Sequence, residues 1–124
     1  MNNRFDGFCV LTNDVVRLRD FYAAVLRAET EGDEIHSLVR LDTCSFAIFD
    51  PSKTEVQEMF AKRSGRGSVI LEFEVDDVDS EYQRLLQDIG PEFLIPPRSN
   101  PHGRRAMHFL DPDGNIVNFH TTIS

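Results

Sequence analysis

The feature that most restricts the fold of this chain is an internal repeat, in which a strand, an acidic cap and an amphipathic helix occur twice, 63 residues apart. Val10 superposes on Phe73, Thr12 on Val75, Asp14 on Asp77, Val15 on Val78, Tyr22 on Leu85 and Leu26 on Ile89. In the first copy, Phe5 to Thr12 (FDGFCVLT) is rich in apolar and β-favouring residues and reads as a strand. Asn13-Asp14 supply side chains that cap a helix. Leu18, Phe21, Tyr22, Val25 and Leu26 then recur at helical spacing, which predicts a helix over 15–27. Strands are expected around Glu31, over 35–41 and over 45–49, with Asp42-Thr43 turning between the last two.

The second copy repeats that order. Ser68 to Val75 alternates with Val69, Leu71, Phe73 and Val75 on one face. Asp76-Asp77 cap a helix with an apolar face of Tyr82, Leu85, Leu86 and Ile89, and Gly90-Pro91 stop it. Phe93 to Ile95 is expected as a short strand ended by Pro96-Pro97, followed by strands over 104–110 and 115–122. Asp111-Pro112-Asp113-Gly114 joins these two as a tight turn, with Pro presetting φ and Gly free to take φ > 0. Between the copies, 53–62 holds good helix formers, with Val56, Met59 and Phe60 on one side, ahead of the flexible Ser64-Gly65-Arg66-Gly67.

One helix cannot cover four strands on both faces, so the halves must pair, within the chain or across a dimer. The expectation is an α+β fold of two βαβββ modules whose mixed, curved sheets pair into an open cup or partial barrel. Module one covers about 4–50, a linker with a short helix about 51–66, and module two about 67–123. The length of 124 residues fits a single domain.

The most specific stretch is His102-Gly103-Arg104-Arg105-Ala106-Met107-His108-Phe109-Leu110-Asp111-Pro112-Asp113-Gly114-Asn115-Ile116-Val117. It resembles the recurring G-x-R-x-x-x-F-x-D-P-D-G-N hairpin of the vicinal-oxygen-chelate superfamily, which holds the glyoxalases, bleomycin-resistance proteins and extradiol dioxygenases. Asn13-Asp14 ahead of a helix carrying Phe21-Tyr22 is similar to that family's opening, although Arg27-Ala28 stands where Leu-Gly is frequent. Both signatures serve the fold and neither is catalytic.

The resemblance also implies where a site would lie. Metal-dependent members hold a divalent ion inside the cup with His, Gln or Glu from the first and last strands of the modules. The resemblance implies that the family's Glu shortly after the D-P-D-G turn falls on Asn118, which counting in twos also turns into the cup, that its His just after a Gly falls on Ser68, and that its ligand ahead of the Phe-Tyr pair falls on Gly7; Ser45 to Phe49 offers no acid or imidazole. Gly has no side chain, and neutral Ser and Asn bring no charge to offset a dication. The usual metal site is therefore expected to be missing, and no cofactor is expected.

By the same counting Ser68, Ile70, Glu72 and Glu74 share one face, as do Arg104, Ala106 and His108, with Asn118 and His120 on the last strand. Glu72, His108 and His120 are the candidate catalytic residues, as a relocated divalent site or as an acid–base set without metal. The alternative is that Glu72 and Glu74 are solvated, His108 bonds a neighbouring strand and His120 is frayed. Ser68, Glu72, His108, Asn118, His120 and Arg105 are the candidate ligand-binding residues; for Arg105 a strand-edge salt bridge competes with ligand contact. His102 is expected at the cup rim, while His36 and Arg40 share a face that lines the cup or meets water.

Charge and composition narrow the function. The net charge is 13 − 21 = −8, which argues against nucleic acid and is compatible with a cationic or neutral ligand. Ten Phe against two Tyr and no Trp suit a pocket or core of plain aromatic rings. Cys9 and Cys44 are too few for a zinc framework and are expected as buried free thiols. No signal-peptide pattern or membrane span is evident, so a cytoplasmic location is expected. The leading expectation is a homodimer that sequesters an aromatic or cationic small molecule without metal, as bleomycin-resistance-type members do. The alternative is a glyoxalase- or dioxygenase-like lyase or isomerase, and a structural or interaction module is a third possibility.

Overall fold

The computed structural model describes residues 7–54, 70–100 and 103–123. The chain divides into two compact units, Met1–Gly65 and Arg66–Ser124, each built from one helix and one mixed sheet of four strands. The expected short helix of the linker falls on residues 55–69 and lies outside the described residues.

Module one runs β1 (Cys9–Leu11), α1 (Val15–Leu26), β2 (Glu29–Gly32), β3 (His36–Arg40) and β4 (Ser45–Phe49), with sheet order β1-β4-β3-β2. β1 and β4 are parallel, while β4–β3 and β3–β2 are antiparallel. Helix α1 starts where the Asp14 side chain accepts from the Arg17 N–H at 3.1 Å. It ends at Arg27, whose φ of 51° is left-handed. Its inner face of Val15, Leu18, Tyr22 and Val25 is buried against Val39, Phe46 and Ile48, with the Tyr22 and Phe46 rings edge to face at 5.2 Å.

Module two repeats this plan with β5 (Ile70–Glu74), α2 (Val78–Asp88), β6 (Phe93–Ser99), β7 (Arg104–Leu110) and β8 (Ile116–Thr122), in the order β5-β8-β7-β6. Asp77 caps α2 by accepting from the Asp79 and Ser80 N–H groups. Leu85 and Val78 are buried with Met107, Phe109, Val117 and Phe119, and the Phe109 and Phe119 rings meet edge to face at 5.1 Å. The β7–β8 hairpin closes on buried Asp111. Its Oδ1 accepts from the Asp113 and Asn115 N–H groups and its Oδ2 from the Asn115 amide, while Gly114 takes φ +88°.

Four expectations need correction. β6 does not stop before Pro96-Pro97 but continues to Ser99. It can do so because it is an edge strand whose pairing with β7 shifts register between Phe93 and Ile95 and again between Ile95 and Arg98, so the prolines need donate no ladder hydrogen bond. Leu86, placed on the inner face of α2, is 45% exposed, since the narrow contact of an 11-residue helix is filled by Val78, Tyr82 and Leu85. Neither cysteine is buried: Cys9 is exposed on edge strand β1, and Cys44 is half-buried. Cys44 also lies in the β3–β4 turn, outside either strand. Among the described residues no helix is long and apolar enough to cross a membrane.

Candidate functional site

Strand alternation puts the candidate side chains Glu72, His108, Asn118 and His120 of module two on the face away from α2. Leu71, Met107, Phe109, Val117 and Phe119 go to the helix side and are buried there. The intervening residues line up across the sheet through the strand register. Glu72 pairs with Asn118, which pairs with His108, which pairs with Ile95. One step along, Glu74 pairs with His120, which pairs with Ala106, which pairs with Arg98. The structure thus brings Glu72, His108, Asn118 and His120 to one face.

Within that group the Asn118 amide is a bridge. Its Nδ2 lies 3.0 Å from His108 Nε2, and its Oδ1 lies 2.9 Å from His120 Nδ1. Asn118 is only 6% exposed although it faces away from the helix, and His108 and His120 are half-buried. Buried polar atoms need partners, and this amide satisfies one end of each imidazole. The other ring nitrogen of His108, Nδ1, is buried with no hydrogen-bond partner among the described residues. Glu72 and Glu74 are exposed beside the row.

Arg105 points the other way. Its Nε and Nη2 donate to both carboxylate oxygens of Asp79 on α2, at 2.8 and 2.9 Å, and its Nη1 to Ser99 Oγ at 3.3 Å. The hydrogen bonds from Arg105 hold the Asp79 carboxyl below its ordinary range, and Asp79 in turn raises the guanidinium. This fork ties strand β7 to the start of α2 and takes the Arg105 guanidinium away from the polar face.

Two of the three residues that the resemblance places at chelating positions, Gly7 and Asn118, are described. Gly7 has φ +135°, and a Cβ there would meet the Ser45 carbonyl oxygen at 2.5 Å, so the backbone of β4 leaves no room for any ligand side chain. Asn118 has both ends of its amide engaged by imidazoles. Ser68 lies outside the described residues, as does His102. Among the described residues no three His, Cys, Asp or Glu side chains group closely enough to hold an ion. In module one His36 and Arg40 are exposed on one face of β3; His36 stacks edge to face on Phe49 at 6.0 Å, and Arg40 pairs with Glu31.

Reasoning from sequence missed two partnerships. A bond from His108 to a neighbouring strand and a salt bridge for Arg105 are both among the alternatives read from the sequence, but their partners, Asn118 linking two histidines and Asp79, are not. The first was within reach: the five residues Asp111–Asn115 between the strands set Leu110 opposite Ile116, which carries His108 to Asn118. The second depends on where α2 crosses the sheet, which local patterns do not encode.

Two βαβββ modules in one chain, with a parallel first and last strand in each, define a class of protein in which one module is used twice. The chain belongs to the glyoxalase-like domain family, whose model matches residues 5–124, and so to the vicinal-oxygen-chelate superfamily. Among solved structures it is similar to a glyoxalase/bleomycin resistance protein/dioxygenase from Nocardioides, at 21% identity and TM-score 0.78, covering 100% of this chain and 86% of that one. It is also similar to a protein of unknown function from Agrobacterium tumefaciens strain C58, at 25% identity and TM-score 0.77, covering 99% and 97%. A lactoylglutathione lyase from Agrobacterium tumefaciens matches at 17% identity and TM-score 0.75, covering 97% and 94%. Among curated proteins none matches the sequence.

Proposed function

We infer that this chain binds a small organic molecule, aromatic or cationic, on the polar face of its second sheet and without a chelated metal. The observation that carries this reading is the buried Asn118 amide held between two imidazoles at a position where metal-dependent relatives would need a charged ligand. A hydrogen-bonding row of that kind orients a ligand, and the adjacent Glu72 and Glu74 carboxylates favour positive charge. The net charge of −8 acts in the same direction. In this reading the protein works in the cytoplasm as a homodimer, like bleomycin-resistance-type members, and sequesters its ligand.

A panel of aromatic and cationic compounds tests it by thermal shift. A binder raises the melting temperature by mass action, and Glu72→Gln with Glu74→Gln weakens the rise. Failure of every compound in such a panel would overturn the reading. Size-exclusion chromatography with light scattering checks the dimer.

A second reading is favoured by the unpartnered Nδ1 of His108 and by the likeness to a protein named as a lactoylglutathione lyase. Here Glu72, His108 and His120 serve a lyase, isomerase or dioxygenase reaction as an acid–base set or around a relocated metal. Tag-free protein is the discriminating sample. Bound metal on elemental analysis, or stabilisation by Zn²⁺, Ni²⁺, Mn²⁺ or Fe²⁺, would favour the enzyme over the binder.

A further inference from the structure

The Asn118 amide has one donor end and one acceptor end, and it touches the two histidines through different ring atoms, Nε2 of His108 and Nδ1 of His120. Whichever way the amide is turned, one ring must accept and the other must donate. If Nδ2 donates to His108, that ring carries its proton on Nδ1, and His120 must donate from Nδ1. If the amide is reversed, His108 donates from Nε2, and His120 accepts at Nδ1 and carries its proton on Nε2. In both arrangements the two neutral rings hold the same tautomer, and both cannot be imidazolium at once without breaking one of the bonds.

The atom through which a ligand would meet this unit is Nε2 of His120, which has no partner among the described residues, on a half-buried ring. On β5, Glu74 is its register partner and Glu72 stands one row away, while Ala106 lies opposite it on β7 and Arg98 beyond on β6. Arg104 is two residues from Ala106 on the same strand. With the amide donating to His108, His120 Nε2 is a free lone pair on the residue paired in register with Glu74.

We propose that Asn118 locks His108 and His120 into a shared tautomer, and that the unit is a subsite for a protonated amine received between His120 Nε2 and the Glu74 carboxylate. The ligand class rests on the binding reading above; the tautomer lock does not. An ammonium N–H donating to His120 Nε2 selects the arrangement in which both rings carry Nδ1–H. His108 is thereby fixed as Nδ1–H in the complex although it does not touch the ligand.

The test is nitrogen NMR on protein labelled in its histidine rings. Without ligand, His108 and His120 should report one tautomer in common. Asn118→Asp keeps the size of the side chain but offers two acceptors, so the rings should then split into Nε2–H for His108 and Nδ1–H for His120. Different tautomers in the unaltered protein, or no split in the variant, would overturn the lock. Benzylamine and benzyltrimethylammonium are the ligand probes. With benzylamine bound both rings should report Nδ1–H and the His120 Nε2 resonance should shift as it accepts the ammonium N–H; the quaternary cation, which has no N–H, should leave that resonance in place. Equal responses to both probes, or none to benzylamine while the lock holds, would overturn the amine subsite and leave the broader binding reading to the thermal-shift panel.

Discussion

The two modules put different chemistry on the same scaffold. Across the sheet of module one, away from its helix, the row is Cys9, Ala47 and Leu38; the corresponding row of module two is Glu72, Asn118 and His108. The next row along is Leu11, Phe49 and His36 in the first module, against Glu74, His120 and Ala106 in the second. The helix-side residues remain matched in kind: Tyr22, Phe46 and Ile48 in one, Leu85, Val117 and Phe119 in the other. Because successive residues on a strand face opposite ways, one face is held to packing while the other is free to change. In this chain all of the clustered imidazole chemistry of the described residues sits in module two.

The largest expected effect checks the half of the comparison that stays the same. Phe46→Ala and Phe119→Ala each empty a fully buried ring site, and each should lower stability by about 3–5 kcal/mol in chemical denaturation. A much smaller loss for one of them would mean that the modules do not share a core of equal weight.

The turns between the last two strands come next. In module two Asp111 is buried and accepts from the Asp113 and Asn115 N–H groups and the Asn115 amide, so Asp111→Ala should cost roughly 1.5–3 kcal/mol. In module one Asp42 is exposed in the corresponding turn, and Asp42→Ala should fall within about 0.5 kcal/mol of the parent. Equal losses would erase this asymmetry.

Asn118→Leu makes the row of module two resemble that of module one. It strands one nitrogen on each imidazole and should cost about 1–3 kcal/mol by urea titration, unless the histidines turn to solvent. A stabilised variant would show that the polar row is not maintained by its own hydrogen bonds.

The smallest effect separates two acidic groups by pH and salt. Asp33 in module one is held below its ordinary range by the backbone N–H groups of His36 and Ile35, and Asp79 in module two chiefly by Arg105. A lowered carboxyl adds stability that is complete above the ordinary Asp range and is lost as the pH falls through the lower folded value. The melting-temperature gaps of Asp33→Asn and Asp79→Asn against the parent should therefore shrink in acid. Salt should reduce mainly the gap for Asp79, whose partner is a full charge. Salt acting equally on both would remove the distinction.

Much of this fold is legible in the sequence, because it rests on local physics. The caps at Asp14 and Asp77, the face of α1, strand β4 and the Asp111–Gly114 hairpin each follow from neighbouring residues. The passage of β6 through Pro96-Pro97 is not legible, since a proline is tolerated or not according to whether the strand lies at an edge. For the site, counting in twos brings Glu72, His108, Asn118 and His120 to one face. It does not reveal the bridge, which depends on side-chain rotamers, or the turn of Arg105 towards Asp79, which depends on helix placement.

The parallel pairing of first and last strands also sets a timetable for synthesis. β4 lies between β1 and β3, and β8 between β5 and β7, so the strand that emerges last in each module is an inner one. Until it leaves the ribosome, the opening strand has no neighbour to zip against and the β2–β3 or β6–β7 ribbon carries a bare margin. Each module must therefore close in a single late step, and a nascent chain halted just before β8 would display sticky hydrogen-bonding edges to any chaperone nearby.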